Sequence, residues 1–158
     1  MTTAFKRGEL SGASASAALK SATKPAIVID TNIIVSAIVF PASGAMAVLI
    51  KALNRYSVVV SGSTWDELAS VLQRPKFDSR LPLAKRLLAL TELARNVREV
   101  KVTSVITDCR DPKDNKFLAL AIDGAATVIV TGDNDLLVLN PYRSIVVCKA
   151  SDFLTAQF

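Results

Sequence analysis

Four acidic residues in this chain occupy positions from which carboxylates can do chemistry. Asp30 directly follows the apolar run Ala26-Ile27-Val28-Ile29. Glu67 lies in Ser63-Thr64-Trp65-Asp66-Glu67-Leu68, and Asp114 follows Asp111-Pro112-Lys113. Asp133 closes Thr131-Gly132-Asp133 after the apolar run ending at Val130, and Asp135 follows two residues later. Each acid also has a bland explanation. Asp30 could cap the next helix, although Thr31 could do the same. Ser63-x-x-Asp66 and Thr64-x-x-Glu67 both fit a capping box, and only the first leaves Glu67 free. Asp133 and Asp135 sit in an Asn/Asp/Gly-rich stretch that suits a turn. Asp114 is the most informative, because Asp114, Phe117, Leu118 and Ala121 share one helical stripe. An acid on an apolar stripe needs a partner, since an unpaired buried charge is costly.

Taken together, the acids imply a cation. Two carboxylates about 4 Å apart repel by about 4 kcal/mol at an effective dielectric of about 20. All-oxygen ligands favour hard ions, so Mg²⁺ or Mn²⁺ is the expected cofactor. Such ions activate water and stabilise a leaving oxygen in phosphodiester cleavage. The chain has no histidine and two cysteines, Cys109 and Cys148. That removes Ser-His-Asp and Cys-His mechanisms, His-ligated zinc and a disulfide framework. Two lone cysteines without a signal peptide point to the cytoplasm. No apolar run approaches the roughly 20 residues of a membrane span, so no membrane association is expected.

Charge is uneven around a net +5. Eight basic residues between Arg74 and Lys101 face three acids, whereas six acids between Asp108 and Asp135 face three bases. A basic zone beside an acidic one suits a polyanion brought to a cation-filled site. Arg74, Lys76, Arg80, Lys85 and Arg86, which flank the Glu67 segment, are the candidate phosphate contacts.

These residues need a frame that gathers them. Residues 1–24, rich in Ala, Ser, Lys and Thr, read as a mobile tail, and a domain is expected over 25–158. Strands are expected at 26–30, 57–60, 100–102, 127–131 and 144–148. Helices are expected at 32–38, 44–53, 64–73, 82–97 and from Asp111-Pro112 to about Ile122, with a short one after Ser151. The alternation predicts an α/β domain with a mainly parallel sheet covered on both faces by helices. In such sheets ligands sit outside the carboxyl ends of the strands, where Asp30 and Asp133 fall.

The segments Val28-Ile29-Asp30-Thr31-Asn32, Asp66-Glu67-Leu68 with Val71-Leu72-Gln73-Arg74-Pro75-Lys76-Phe77, Arg110 to Leu118 and Ile129 to Leu137 resemble the PIN-domain family. They are similar in particular to the VapC-like toxins of bacterial toxin–antitoxin systems, and the likeness covers about residues 25–157 in order. The resemblance implies a Rossmann-like sheet and Mg²⁺- or Mn²⁺-dependent RNA cleavage. By motif position it implies that Asp30, Glu67, Asp114 and Asp133 are metal-binding acids and Asp135 an additional acid near the metal. Asn32 and Thr131 become supporting polar residues. A homodimer and a cognate antitoxin are implied partners. A catalytically inactive PIN-type RNA-binding or scaffolding domain is the main alternative. An aspartyl phosphatase of the haloacid-dehalogenase type fits less well, because Asn32 stands where its second Asp is expected. No Gly-x-Gly-x-x-Gly or Walker loop supports a nucleotide-binding domain.

Overall fold

The computed structural model describes residues 24–158. The tail expected over residues 1–24 lies, except for Lys24, outside the described residues. Strand β1 (Ala26–Ile29) is followed at once by α1 (Thr31–Val39), then α2 (Gly44–Arg55) at 111° to it. Next come β2 (Ser57–Val60), α3 (Gly62–Leu72), a 3-10 turn at Pro75–Phe77, α4 (Leu83–Ala94) and the short β3 (Arg98–Glu99). A 3-10 turn at Pro112–Asp114 leads into α5 (Asn115–Asp123), β4 (Ala126–Val130), α6 (Asn134–Leu137), β5 (Val146–Cys148) and α7 (Ala150–Thr155).

The five strands form one sheet in the order β3-β2-β1-β4-β5, with every pair parallel. All four residues of β1 and of β2 are buried, which is why both read as unbroken apolar runs. Alternate residues feed opposite faces. Ile27 and Ile29 pack with α1 to α4, whereas Ala26 and Val28 pack with Phe117, Leu118 and Leu136 of α5 and α6. The chain moves to one side of β1 through β2 and β3, then returns to the other side through β4 and β5. The order therefore reverses between β1 and β4, opening a crevice at their carboxyl ends.

Three local expectations change. The strand placed at 100–102 is Arg98–Glu99 instead, and both residues are exposed because β3 is the sheet edge. The last strand begins at Val146 rather than residue 144, since Arg143 (φ 46°) and Ser144 (φ 69°) turn through left-handed backbone. The α3 cap is Ser61, not Ser63 or Thr64. Ser61 Oγ accepts from Thr64 N at 3.2 Å while Thr64 Oγ1 accepts from Ser61 N at 3.0 Å. Glu67 therefore takes no part in capping.

Candidate active site

Asp30 is placed by the two central strands. Its N–H donates to Val130 O at 2.9 Å, joining the end of β1 to the end of β4. One carboxylate oxygen accepts the Asn32 N–H at 3.3 Å, and the other accepts the Thr131 hydroxyl at 2.7 Å. Thr131 Oγ1 in turn accepts the Asp133 N–H at 3.0 Å, and Asp133 accepts the Asp135 N–H at 2.8 Å. Asp30 and Asp133 thus do cap α1 and α6, yet each cap sits at the crevice and aims the carboxylate there. Thr131 is fully buried, and its hydroxyl bond sets the orientation of the Asp30 carboxylate. Asn32 helps through its backbone N–H. Asp30, Asn32, Ile33, Ala45 and Asp133 all border one cavity of about 350 Å³.

The electrostatics extend this pair to a cluster. Burial pushes the Asp30 carboxyl up, with help from the charges of Glu67 and Asp133, against the Thr131 and Asn32 hydrogen bonds that lower it. Asp114 is pushed up to about 7, first by burial, then by its hydrogen bond with and the charge of Asp133, then by Asp111 and Asp30. Its position at the start of α5 brings no capping bond from its side chain. Asp114 Oδ2 is buried without a hydrogen-bond partner. Asp111 caps the preceding turn, accepting from Lys113 N at 3.0 Å. Phe117, Leu118 and Ala121 are buried along the stripe that Asp114 begins.

Glu67 reaches toward the cluster from α3 but is held. Its Oε2 accepts the Thr31 hydroxyl at 2.5 Å, and its Oε1 is 2.9 Å from Lys116 Nζ. Asp135 pairs with the exposed Arg110 at 3.3 Å. Among the described residues, no three acids or cysteines stand ready as a closed metal cage. Asp30, Asp114 and Asp133 share one charged neighbourhood, Glu67 lies within reach of Asp30 by charge, and Asp135 stands aside with Arg110. The donor set nonetheless fits a hard divalent ion, because it is all oxygen and one of its oxygens is orphaned.

Arg86 is not a surface phosphate contact. It is 0% exposed. Its guanidinium donates to Leu72 O at 2.6 Å, Arg74 O at 3.0 Å and Leu81 O at 2.9 Å, and pairs with Asp78. Four hydrogen bonds made inside the protein turn it into a clamp tying α4 to the end of α3. Arg74, Lys76, Arg80 and Lys85 are exposed, with Arg80 lying over the Phe40 ring and Lys76 over Phe77. Sequence reasoning missed Thr31, Lys116 and Arg110 as partners of the acids. Lys116 carried one readable signal: a cation in the first turn of a helix opposes the dipole there.

The profile of the PIN domain matches residues 26–135, which holds β1, β4 and the whole acid cluster. The chain belongs to the PIN-domain family. A relative in Methanocaldococcus jannaschii, the uncharacterised protein MJ1680, is 30% identical over 125 residues, 75% of this chain and 79% of that protein. The crystal structure of VapBC2 from Rickettsia felis, bound to a DNA fragment from its promoter, is similar with a TM-score of 0.53. That match covers 78% of this PIN-domain chain and 98% of the other at 12% identity, a likeness of fold.

Proposed function

We propose that this PIN-domain protein is a metal-dependent ribonuclease that hydrolyses RNA phosphodiester bonds at Asp30, Glu67, Asp114 and Asp133. The observation that carries this reading is the buried, unpartnered Asp114 Oδ2 beside Asp133 and Asp30, an arrangement unfavourable without a cation. Asp30, Asp114 and Asp133 would hold Mg²⁺ or Mn²⁺, with Glu67 joining by turning from Lys116 and Asp135 at the edge. The bound ion supplies a Lewis acid and a water of lowered pKa. Thr131 fixes the Asp30 carboxylate, and Asp133 N–H fixes Thr131, so Asp30 and Asp133 do not reorganise when substrate arrives. Lys116 and Thr31 hold the Glu67 carboxylate next to the cluster. Arg74, Lys76, Arg80 and Lys85 draw the RNA backbone by its phosphates.

The family and the likeness to the VapBC2 complex support a toxin of a type II toxin–antitoxin pair, with a cognate antitoxin, a homodimer and a cytoplasmic location as the accompanying expectations. A second reading, an inactive PIN-type RNA-binding or scaffolding domain, is favoured by one observation: Glu67 is already satisfied by Lys116 and Thr31. Cleavage of RNA by the purified full chain, with Mg²⁺ or Mn²⁺ against EDTA and with Asp30→Asn as control, separates the two. Metal-dependent cleavage lost in the variant supports the nuclease. Binding without cleavage under every metal supports the scaffold.

A further inference from the structure

Lys116 faces two ways. One side meets Glu67 at 2.9 Å, and the other borders a cavity of about 720 Å³ outside the acid cluster. That cavity lies at the carboxyl ends of β2 and β3, on the same sheet edge as Asp30 and Asp133, and is also lined by Ser61, Gly62, Ser63, Lys101, Val102 and one acid, Glu99, which the two lysines outnumber. Glu67 accounts for one of the three donors of the Lys116 ammonium. Glu67 also has the Thr31 hydroxyl at 2.5 Å, so it does not depend on Lys116 alone. A lysine in the first turn of α5 opposes the helix dipole, and the side chain keeps 22% of its surface exposed. Lys101 is exposed on the same cavity, and a Cβ at Gly62 would meet nothing within 4 Å, so the backbone there does not crowd it.

We propose that Lys116 is a substrate-positioning residue, its ammonium and that of Lys101 holding the phosphate next to the scissile one in this second cavity. The inference rests on the RNA reading above for the identity of the polyanion. Because Lys116 Nζ touches Glu67, a phosphate it holds lies beside the acid cluster, and the RNA strand is drawn from that cluster over β2 and β3.

The test uses the full chain carrying Asp30→Asn, so that RNA is bound and not cut. Affinity for a labelled single-stranded oligoribonucleotide is measured in EDTA across a salt series, with Lys116→Gln, Lys116→Arg or Lys101→Gln added. Each lost phosphate contact on a single strand should flatten the log–log salt dependence by about 0.7. Lys116→Gln and Lys101→Gln should each show this with weaker binding, and Lys116→Arg should restore it. Unchanged slope and affinity in Lys116→Gln would overturn the proposal and return Lys116 to holding Glu67. Should Lys116→Gln lose its melting transition, the other two variants decide: retained affinity in Lys116→Arg with a flatter slope in Lys101→Gln supports it, and an unchanged slope in Lys101→Gln overturns it. RNA bound with this lysine dependence but never cleaved by the unsubstituted chain in added metal would sink the nuclease reading alone. Metal-dependent cleavage with an unaltered slope would sink this proposal alone.

Discussion

Arg86 and Asp114 are both ionisable groups taken out of water, and the protein treats them in opposite ways. Around Arg86 three carbonyls and the Asp78 carboxylate saturate the guanidinium. Around Asp114 the neighbours are other acids, and one oxygen has no partner. A saturated charge holds two helices in register. An unsaturated one leaves the fold in deficit until something from outside arrives, which is the mark of a site.

The contrast can be broken by experiment. The largest effect is expected at the open centre. Asp114→Asn should reduce metal-dependent RNA cleavage by more than the roughly 100-fold that loss of an outer partner of a metal ligand can cost. Its melting temperature in EDTA should stay level or rise, because a repelling charge is gone. Full cleavage by this variant in added Mn²⁺ would contradict the proposed role. Arg86→Met should do the reverse. It takes the guanidinium from the Leu72 and Leu81 carbonyls and the Asp78 carboxylate, a loss of about 3 kcal/mol or more in urea unfolding, while the fraction that remains folded keeps its activity per molecule. A variant as stable as the parent would show that the clamp is dispensable.

A smaller effect concerns pH. Folding raises the Asp114 carboxyl from 3.8 to about 7, so the folded chain binds this proton more tightly than the unfolded chain. In metal-free protein that preference favours folding at low pH and is lost as pH rises from about 4 to about 7. The melting temperature of the parent relative to Asp114→Asn should therefore fall across that window and level off above it. A constant difference would mean that Asp114 titrates as an ordinary surface acid. The smallest effect is expected at the exposed bases. Neutralising Lys76 and Lys85 together should flatten the salt dependence of RNA binding by about 1.4, at about 0.7 for each phosphate, and leave the melting temperature nearly unchanged. Affinity that matches the parent across salt would return them to solvated surface.

The sequence made the frame legible where burial is two-sided. Ile27, Val28 and Ile29 can only be so uniformly apolar between two helical layers, and Asp30 at their end then has one place to be. The edge strand was misplaced because Arg98 and Glu99 carry no burial signature, whereas Val100 and Val102 do. Glu67 was ambiguous because three hydroxyl residues precede it, and which one caps depends on where β2 lets the helix begin. Arg86 was mistaken for a surface base, since charge is visible in a sequence and burial is not. It does share a helical stripe with Leu90, Leu93 and Ala94, all buried, and that spacing was the available warning. The partners Thr31 and Lys116 lie 36 and 49 positions from Glu67, and only the closed fold brings them to it.

The insertion of β4 between β1 and β5 has a consequence for when the protein can act. The bond from Thr131 to Asp30 spans 101 residues, so one half of the site waits for the other throughout synthesis. A nascent chain displays Asp30 early, but until residues 126–133 have left the ribosome its first strand lacks the neighbour that orients that acid. Non-local pairing of this kind also forms late in folding. If the chain cleaves RNA as proposed, it is thereby harmless to the message and ribosome producing it until residues 126–133 have emerged and paired with β1.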